Sequence, residues 1–261
     1  MNELLAPAKL TWFLEVTGRR ANGLHELRSE MVTLDVADRL ELDPDADYVR
    51  LEGPYSGLPI DESNLVAKTL RLVGRHAGVT IHKVIPPGGG LGGGSADAAA
   101  VLRWAGGVSD DEALSLGGDV PFCQVGGRAL VEGAGEVITP LPYERREVTL
   151  AILSFGVSTP ECYRAFDELT ESGVKSEGRN HLEMAARQVE PRLAETMDWL
   201  EATLGNRVHL AGSGSTLFVE GHLEKEVETW DVMGPAGLVQ FRQTITTPRE
   251  TSKGYLPAAR R

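Results

Sequence analysis

Residues 86–98 read Pro-Pro-Gly-Gly-Gly-Leu-Gly-Gly-Gly-Ser-Ala-Asp-Ala, with six glycines in seven consecutive positions. Almost no Cβ atoms crowd this backbone, so it can take positive φ angles and let a ligand approach closely. The alanine-rich stretch from Ser95 to Leu102 predicts a helix with Ser95 as its N-cap. A glycine loop feeding a helix N-terminus gathers unpaired N–H groups and the positive end of a dipole at one point. That combination attracts phosphate.

Several phosphate-binding patterns compete for this segment. Gly88, Gly90 and Gly93 satisfy the dinucleotide pattern G-x-G-x-x-G, but a run this dense in glycine satisfies most glycine patterns. Pro86 and Pro87 interrupt the approach from the preceding strand, and the acids at the expected distance, Asp110 to Glu112, fall in a polar turn. A P-loop needs lysine and Ser/Thr directly after the glycines, where this chain has Ser95-Ala96-Asp97. Protein-kinase signatures are missing too. The bland alternative is a flexible linker. A strand on one side and a helix on the other count against it.

The chain has 261 residues, enough for one large domain or two ordinary ones, and 41% hydrophobic with 25% charged residues can build a sizeable core. A formal net charge of −12 argues against nucleic-acid or anionic-membrane partners. It leaves room for a local anion cradle. Cys123 and Cys162 are the two cysteines, so a disulfide framework is not expected, and the six histidines show no zinc spacing. Met1 to Pro7 lacks the basic and apolar regions of a signal peptide, and no run approaches the roughly 18 apolar residues of a membrane span. The expected location is the cytoplasm.

Residues 9–17 alternate, with Leu10, Trp12, Leu14 and Val16 on one face of a strand. Gly18 to Gly23 reads as a basic turn, and 31–42 as one or two strands interrupted at Asp38-Arg39. Asp61 to Asn64 caps a helix through Leu65, Val66, Leu70 and Val73 that ends at Gly78; a strand over 79–84 then leads to Pro86. Further strands are predicted at 129–131 and 148–153, with a domain boundary in the proline-bearing segment around 140–146. Helical patterns cover 160–170 and 180–204, the second split at Pro191. Strands at 208–211 and 216–219 flank Gly212-Ser213-Gly214-Ser215, which taken alone is a hairpin turn. From about Thr244 to Arg261 the pattern is that of a loose tail.

Asp119, between Gly118 and Val120-Pro121, is the best candidate acid; an ordinary turn aspartate is the competing reading. Lys9 lies on the strand face opposite Leu10 and Trp12, where a solvated lysine is the usual occupant. Cys123 follows two apolar residues and reads as core. His25 follows a turn and is equally compatible with surface and ligand.

Eight segments in order resemble the GHMP small-molecule kinases over about residues 6–220. They are Ala6-Pro7-Ala8-Lys9-Leu10, the run from Gly18 to Leu27, Asn64-Leu65-Val66, and Pro86 to Ala98. Gly118-Asp119-Val120-Pro121-Phe122, Glu132 to Glu136, Ser158-Thr159-Pro160 and Gly212-Ser213-Gly214 complete the set. The resemblance implies an α+β, two-domain fold: a ribosomal protein S5 domain 2-like ATP-binding domain over 1–145, a ferredoxin-like domain over 146–243, and a tail over 244–261. It implies Lys9 and Asp119 as catalytic residues. Asn64 and the loop residues Pro86, Pro87, Gly88, Gly89, Gly90, Leu91, Gly92, Gly93, Gly94, Ser95 and Ala96 would hold ATP with Mg2+, without a dedicated protein metal site. Lys9, His25, Asp119, Thr159, Tyr163, Gly212 and Ser213 would hold the alcohol.

The branch most resembled implies phosphorylation of the 2-hydroxyl of a cytidine diphosphate-linked methylerythritol, in non-mevalonate isoprenoid precursor synthesis, by a monomer or weak homodimer. The chain departs from that pattern at Leu24 (usually Tyr), Thr11 (usually Asn) and Ala96 (often Ser), and the stretch from Leu102 to Gly117 is short. A hydroxyl lost at Ala96 is worth about 1.5–3 kcal/mol if it met a charged group. A GHMP kinase for a mevalonate- or homoserine-type alcohol, or a catalytically silent nucleotide-binding relative, are the competing readings.

Overall fold

The computed structural model describes residues 2–58, 60–61, 63–223 and 227–249. Strands β1 (Asn2–Arg19) and β2 (His25–Asp43) form a long antiparallel hairpin around the basic turn. The other edge of β2 is shared. Its first half pairs with β5 (Arg128–Gly133), which continues to β6 (Val137–Pro140); its second half pairs with β4 (Gly78–His82), which carries the parallel β3 (Tyr48–Glu52). Helices α1 (Leu65–Leu72), α2 (Gly93–Ala105), α3 (Asp110–Leu116) and α4 (Val120–Val125) gather with this sheet, whose apolar core includes Leu40, Ile81, Ala99 and Phe122.

A second, antiparallel sheet has the order β10-β11-β7-β9-β8, built from β7 (Glu147–Leu153), β8 (His209–Leu210), β9 (Leu217–Glu220), β10 (Thr229–Gly234) and β11 (Gly237–Ile245). It packs with α5 (Thr159–Glu171), α6 (Glu183–Val189) and α7 (Pro191–Leu204). Pro191 ends one helix and opens the next at its first position, where its missing N–H costs nothing. The two sheets share an apolar layer: Ala8, Leu10 and Val32 of the first meet Val148, Leu150 and Phe218 of the second. At this seam the guanidinium groups of Arg146, at 4.2 Å, and Arg179, at 5.2 Å, both meet the Trp12 ring.

Four local expectations are corrected. β2 runs unbroken through Asp38 and Arg39. Asp38 is fully buried rather than a turn residue, because its carboxylate accepts the N–H groups of Val84 and Ile85 and the ammonium of Lys83. The helix after the glycine run starts at Gly93, capped by Gly92 at φ 68°, so Ser95 lies inside the first turn and is not the N-cap. Asp110 to Glu112 form the first turn of α3, where Ser109 and Glu112 close a capping box. Residues 244–249 are not a tail. Thr246 bridges to Leu34, the N–H of Thr247 donates to Thr33 O at 2.8 Å, and the Thr244 hydroxyl donates to Asp35, returning the chain to the first sheet. The remainder of the expected tail, 250–261, lies outside the described residues.

Under the glycine loop, Lys83, directly after β4, also donates to Asp97 of α2 at 2.7 Å, joining β2, the end of β4 and α2 through one buried cation between two carboxyl groups. Burial raises the Asp97 carboxyl to about 8; the Lys83 ammonium opposes the rise and the Asp38 carboxylate adds to it. The folded chain therefore keeps a proton that the unfolded chain, with an ordinary carboxyl near pH 4, has released. The stability this proton contributes is full below the unfolded value and is lost as the pH rises through about 8. Asp97→Asn, isosteric with the protonated acid, is expected to flatten this fall between about pH 5 and about pH 8.5 in urea unfolding. An unchanged slope would place the proton on another group.

Candidate active site

Two adjoining cavities lie between the glycine loop and the second sheet's loops. The larger, about 690 Å³, is lined by Lys9, Thr11, His25, Asp119, Tyr163 and Ser213 among others. The smaller, about 470 Å³, is lined by Asn64, Pro86, Pro87, Gly88 and Gly92 to Ser95. Gly90, Ser95, Asp119 and Thr159 line both, so the two spaces meet at Asp119.

Strand alternation sends Ala8 and Leu10 into the shared apolar layer and turns Lys9 and Thr11 the other way. The hairpin register shifts between Pro7 and Lys9 and again between Thr11 and Phe13, irregularities that re-aim side chains next to a site. Lys9 is only 5% exposed, far from the solvated lysine its strand position alone favours. Its Nζ lies 3.2 Å from Asp119 Oδ2 and donates to Thr11 Oγ1 at 3.1 Å. Its backbone N–H donates to Leu91 O at 3.0 Å, and its stem lies where a Cβ on Gly92 would stand, 2.8 Å away. Asp119 occupies the N-cap position of α4 without spending its carboxylate on a cap bond. The acid thus faces the lysine and the cavity.

The glycine loop is braced from the other sheet. A Cβ on Gly214 would stand 2.4 Å from Gly90 N, and the N–H of Thr216 donates to Gly89 O at 3.0 Å. The hairpin turn expected at 212–215 is therefore also a prop. Asn180, buried and not anticipated from sequence, holds it by donating to Gly212 O at 2.7 Å and Leu210 O at 3.0 Å. Thr159 and Ser213 hydrogen-bond across the mouth at 2.8 Å.

The other expected residues divide by what faces the cavities. Asn64 lines the smaller one while its Oδ1 caps α1, accepting from Val66 N at 2.9 Å. Leu91 and Ala96 are buried with side chains in apolar clusters, and Gly89 packs toward Thr216, so these three can serve a ligand only through backbone. His25 stacks on Tyr163, ring centroids 4.6 Å apart, and its Nε2 lies 2.7 Å from Asp167 Oδ1, while Arg19 reaches Asp167 Oδ2 at 3.1 Å. Asp167 and Arg19 were not anticipated, although Asp167 stands four residues after Tyr163 on one helix, a spacing that places both on one face. Burial pushes the Cys123 thiol up to about 12, which fits a core residue rather than a nucleophile. Among the described residues no cluster of His, Cys, Asp or Glu could hold a metal, and no helix is long and apolar enough to cross a membrane.

Residues 64–127 match the GHMP kinases N terminal domain. A 4-diphosphocytidyl-2-C-methyl-D-erythritol kinase of Paracoccus denitrificans (strain Pd 1222) is 37% identical over 231 residues, covering 82% of this chain and 84% of that protein. One of Alcanivorax borkumensis (strain ATCC 700651 / DSM 11573 / NCIMB 13689 / SK2) is 36% identical over 246 residues, with 82% and 81% covered. A crystal structure of 4-(cytidine 5'-diphospho)-2C-methyl-D-erythritol kinase matches with a TM-score of 0.67 at 31% identity, over 94% of this chain and 99% of that one. L. major mevalonate kinase in complex with R-mevalonate, with a TM-score of 0.58 at 13% identity over 95% of this chain and 96% of that one, shares the fold.

The two-sheet fold, the glycine loop feeding a helix and these likenesses define a small-molecule kinase of the GHMP class, which uses ATP. Within that class the chain belongs to the 4-diphosphocytidyl-2-C-methyl-D-erythritol kinase family.

Gly214→Ala forces its new methyl against the backbone of Gly89 and Gly90. It is expected to cost about 1–3 kcal/mol of stability. It is also expected to weaken nucleotide binding several-fold, measured by titration with a fluorescent ATP analogue.

Proposed function

We propose that this kinase transfers the γ-phosphoryl group of ATP to the 2-hydroxyl of 4-diphosphocytidyl-2-C-methyl-D-erythritol, a step of non-mevalonate isoprenoid precursor synthesis. The observation that carries this reading is the meeting of two cavities at the Lys9–Asp119 pair. ATP binds in the smaller cavity. The N–H groups of the glycine loop and of the first turn of α2 hold its phosphates, and Asn64 lies at the base. The alcohol binds in the larger cavity, its cytosine against His25 and Tyr163, with Thr159, Gly212 and Ser213 along its middle.

Asp119 accepts the proton of the hydroxyl as the oxygen attacks. The Lys9 ammonium, 3.2 Å from Asp119 Oδ2, stabilises the charge that develops on the oxygen. Thr11 Oγ1 holds the ammonium in place. Phosphoryl transfer depends chiefly on positioning and charge neutralisation, and here the glycine loop, Lys9 and Asp119 supply them where the two cavities meet. The residues fit Mg2+ only as a nucleotide-borne ion. Ser95, freed from capping, supplies a hydroxyl beside the phosphates, and when bound the ion neutralises β- and γ-phosphate charge.

Residues 1–145 form the nucleotide-side domain and 146–243 the second, and the enzyme works in the cytoplasm as a monomer or weak homodimer. Purified protein with ATP, Mg2+ and the cytidylated alcohol is expected to form ADP. Asp119→Asn is expected to lower kcat about 10²–10⁴-fold while nucleotide affinity changes little. Equal turnover by the variant, or failure of CDP to compete with the alcohol, would overturn the reading.

A further inference from the structure

One ion pair ties together three loops around the candidate acid. Arg20 sits in the turn between β1 and β2, and its Nη2 donates to Glu136 Oε1 in the turn between β5 and β6. The second oxygen of Glu136 accepts the N–H of Ala134 at 2.7 Å, so one carboxylate clamps its own turn and holds the neighbouring one. Burial pushes the Glu136 carboxyl up, but the hydrogen bonds from Arg20 and the backbone outweigh it and hold the group below the usual carboxylate range. Gly133, at φ 70°, leaves the pair its room: a Cβ there would stand 2.5 Å from Glu136 Oε1 and 2.9 Å from Arg20 Nη2.

The clamped turn rests on the peptide that carries Asp119. A Cβ on Gly135, at φ 120°, would run into Gly118 O, and one on Gly118 would stand 3.4 Å from Ala134 O. Gly118 O belongs to the planar unit that ends at Asp119 N, so residues 134 and 135 set the plane from which the Asp119 side chain departs. That side chain makes no cap bond and is 32% exposed, so its aim depends on the backbone under it and on Lys9 Nζ at 3.2 Å. We propose that Arg20 and Glu136 are positioning residues for Asp119. Their ion pair holds the 134–135 turn against the Gly118–Asp119 peptide and keeps the carboxylate beside Lys9, where the two cavities meet. Neither side chain lines either of those cavities, so the pair acts through Asp119 rather than on the alcohol. The inference rests on Asp119 as the proton acceptor.

Glu136→Gln tests the proposal, because an amide has one acceptor oxygen where the carboxylate serves two donors, Arg20 and the Ala134 N–H. The new NH2 faces one of them, and the turn moves. Crystal structures of the full-length wild type and variant without substrate give the first readout. Asp119 Oδ2 is expected 3.2 Å from Lys9 Nζ in the wild type. In the variant it is expected beyond the roughly 4 Å reach of an ion pair. Kinetics give the second readout: kcat about 10–100-fold lower, with KM for ATP changed less than about twofold.

On an Asp119→Asn background the same substitution is expected to change kcat by less than about twofold, because a residue that acts by placing Asp119 has no carboxylate left to place. A residue that merely supported the fold would lower both backgrounds by one factor. Arg20→Gln, at the more exposed end of the pair, leaves the Glu136–Ala134 bond intact and carries the test if Glu136→Gln does not fold. It is expected to show the same pattern with a several-fold loss. An Asp119 that stays in place, an unchanged kcat, or equal losses on both backgrounds would each overturn the proposal. Wild-type turnover by Asp119→Asn, or a wild type that did not phosphorylate the cytidylated alcohol, would fail the proposed function instead. The crystal comparison needs no substrate and still decides what places Asp119.

Discussion

Lys9 is tied to the glycine loop and to the acid at once. Its N–H holds Leu91 O, its methylene stem packs where only a glycine at position 92 leaves room, and its ammonium reaches Thr11 and Asp119. A buried ammonium is tolerated because those two oxygens replace water; removing Asp119 would leave an unpaired charge of the kind that costs several kcal/mol. The same contacts set β1 beside the loop and α4 beside β1, so the smaller and the larger cavity open onto one carboxylate. The register shifts on either side of Lys9 and Thr11 let a strand that packs between two sheets also present polar groups to a cleft.

The second sheet contributes rigidity more than chemistry at this point. Gly214 nests against Gly90 with no room for a side chain on either, and Asn180 satisfies the carbonyls that such a tight turn leaves unpaired. The glycine loop is therefore braced from outside its own sheet, and its many glycines permit close approach without leaving it slack. Net charge has little say here. A chain of formal charge −12 still places Lys9, Arg19 and Arg164 around the larger cavity, because a local field follows placement rather than the total.

Much of the local structure was legible. The alternation of Leu10, Trp12, Leu14 and Val16 marked β1, Asn64 marked the start of α1, and Pro191 divided two helices at the right place. The misreadings share a cause. Ser95 looks like an N-cap because serine caps helices in general, but Gly92 in the left-handed region opens the helix earlier and leaves the hydroxyl free. Asp38 looks like a break because aspartate disfavours strands, until Lys83 and two backbone N–H groups surround it. The threonines after position 243 look like a tail because they have no apolar period; their order comes from the pairing of β11 with β7 and from hydrogen bonds to β2 and to the segment before β7.

The sequence by itself determined what each segment could do: a backbone able to reach positive φ at Gly88, Gly90 and Gly92, helices with apolar faces, and an inventory of one lysine, one aspartate and one histidine in motif order. Only the tertiary structure decided which of these meet. His25 and Asp167 are separated by 142 positions and Lys83 and Asp38 by 45, and nothing local to either partner specifies the other. Periodicity and propensity act over a few residues, whereas these contacts arise from how two sheets and their helices pack into one seam. The same packing turned Lys9 from an ordinary strand lysine into the partner of Asp119.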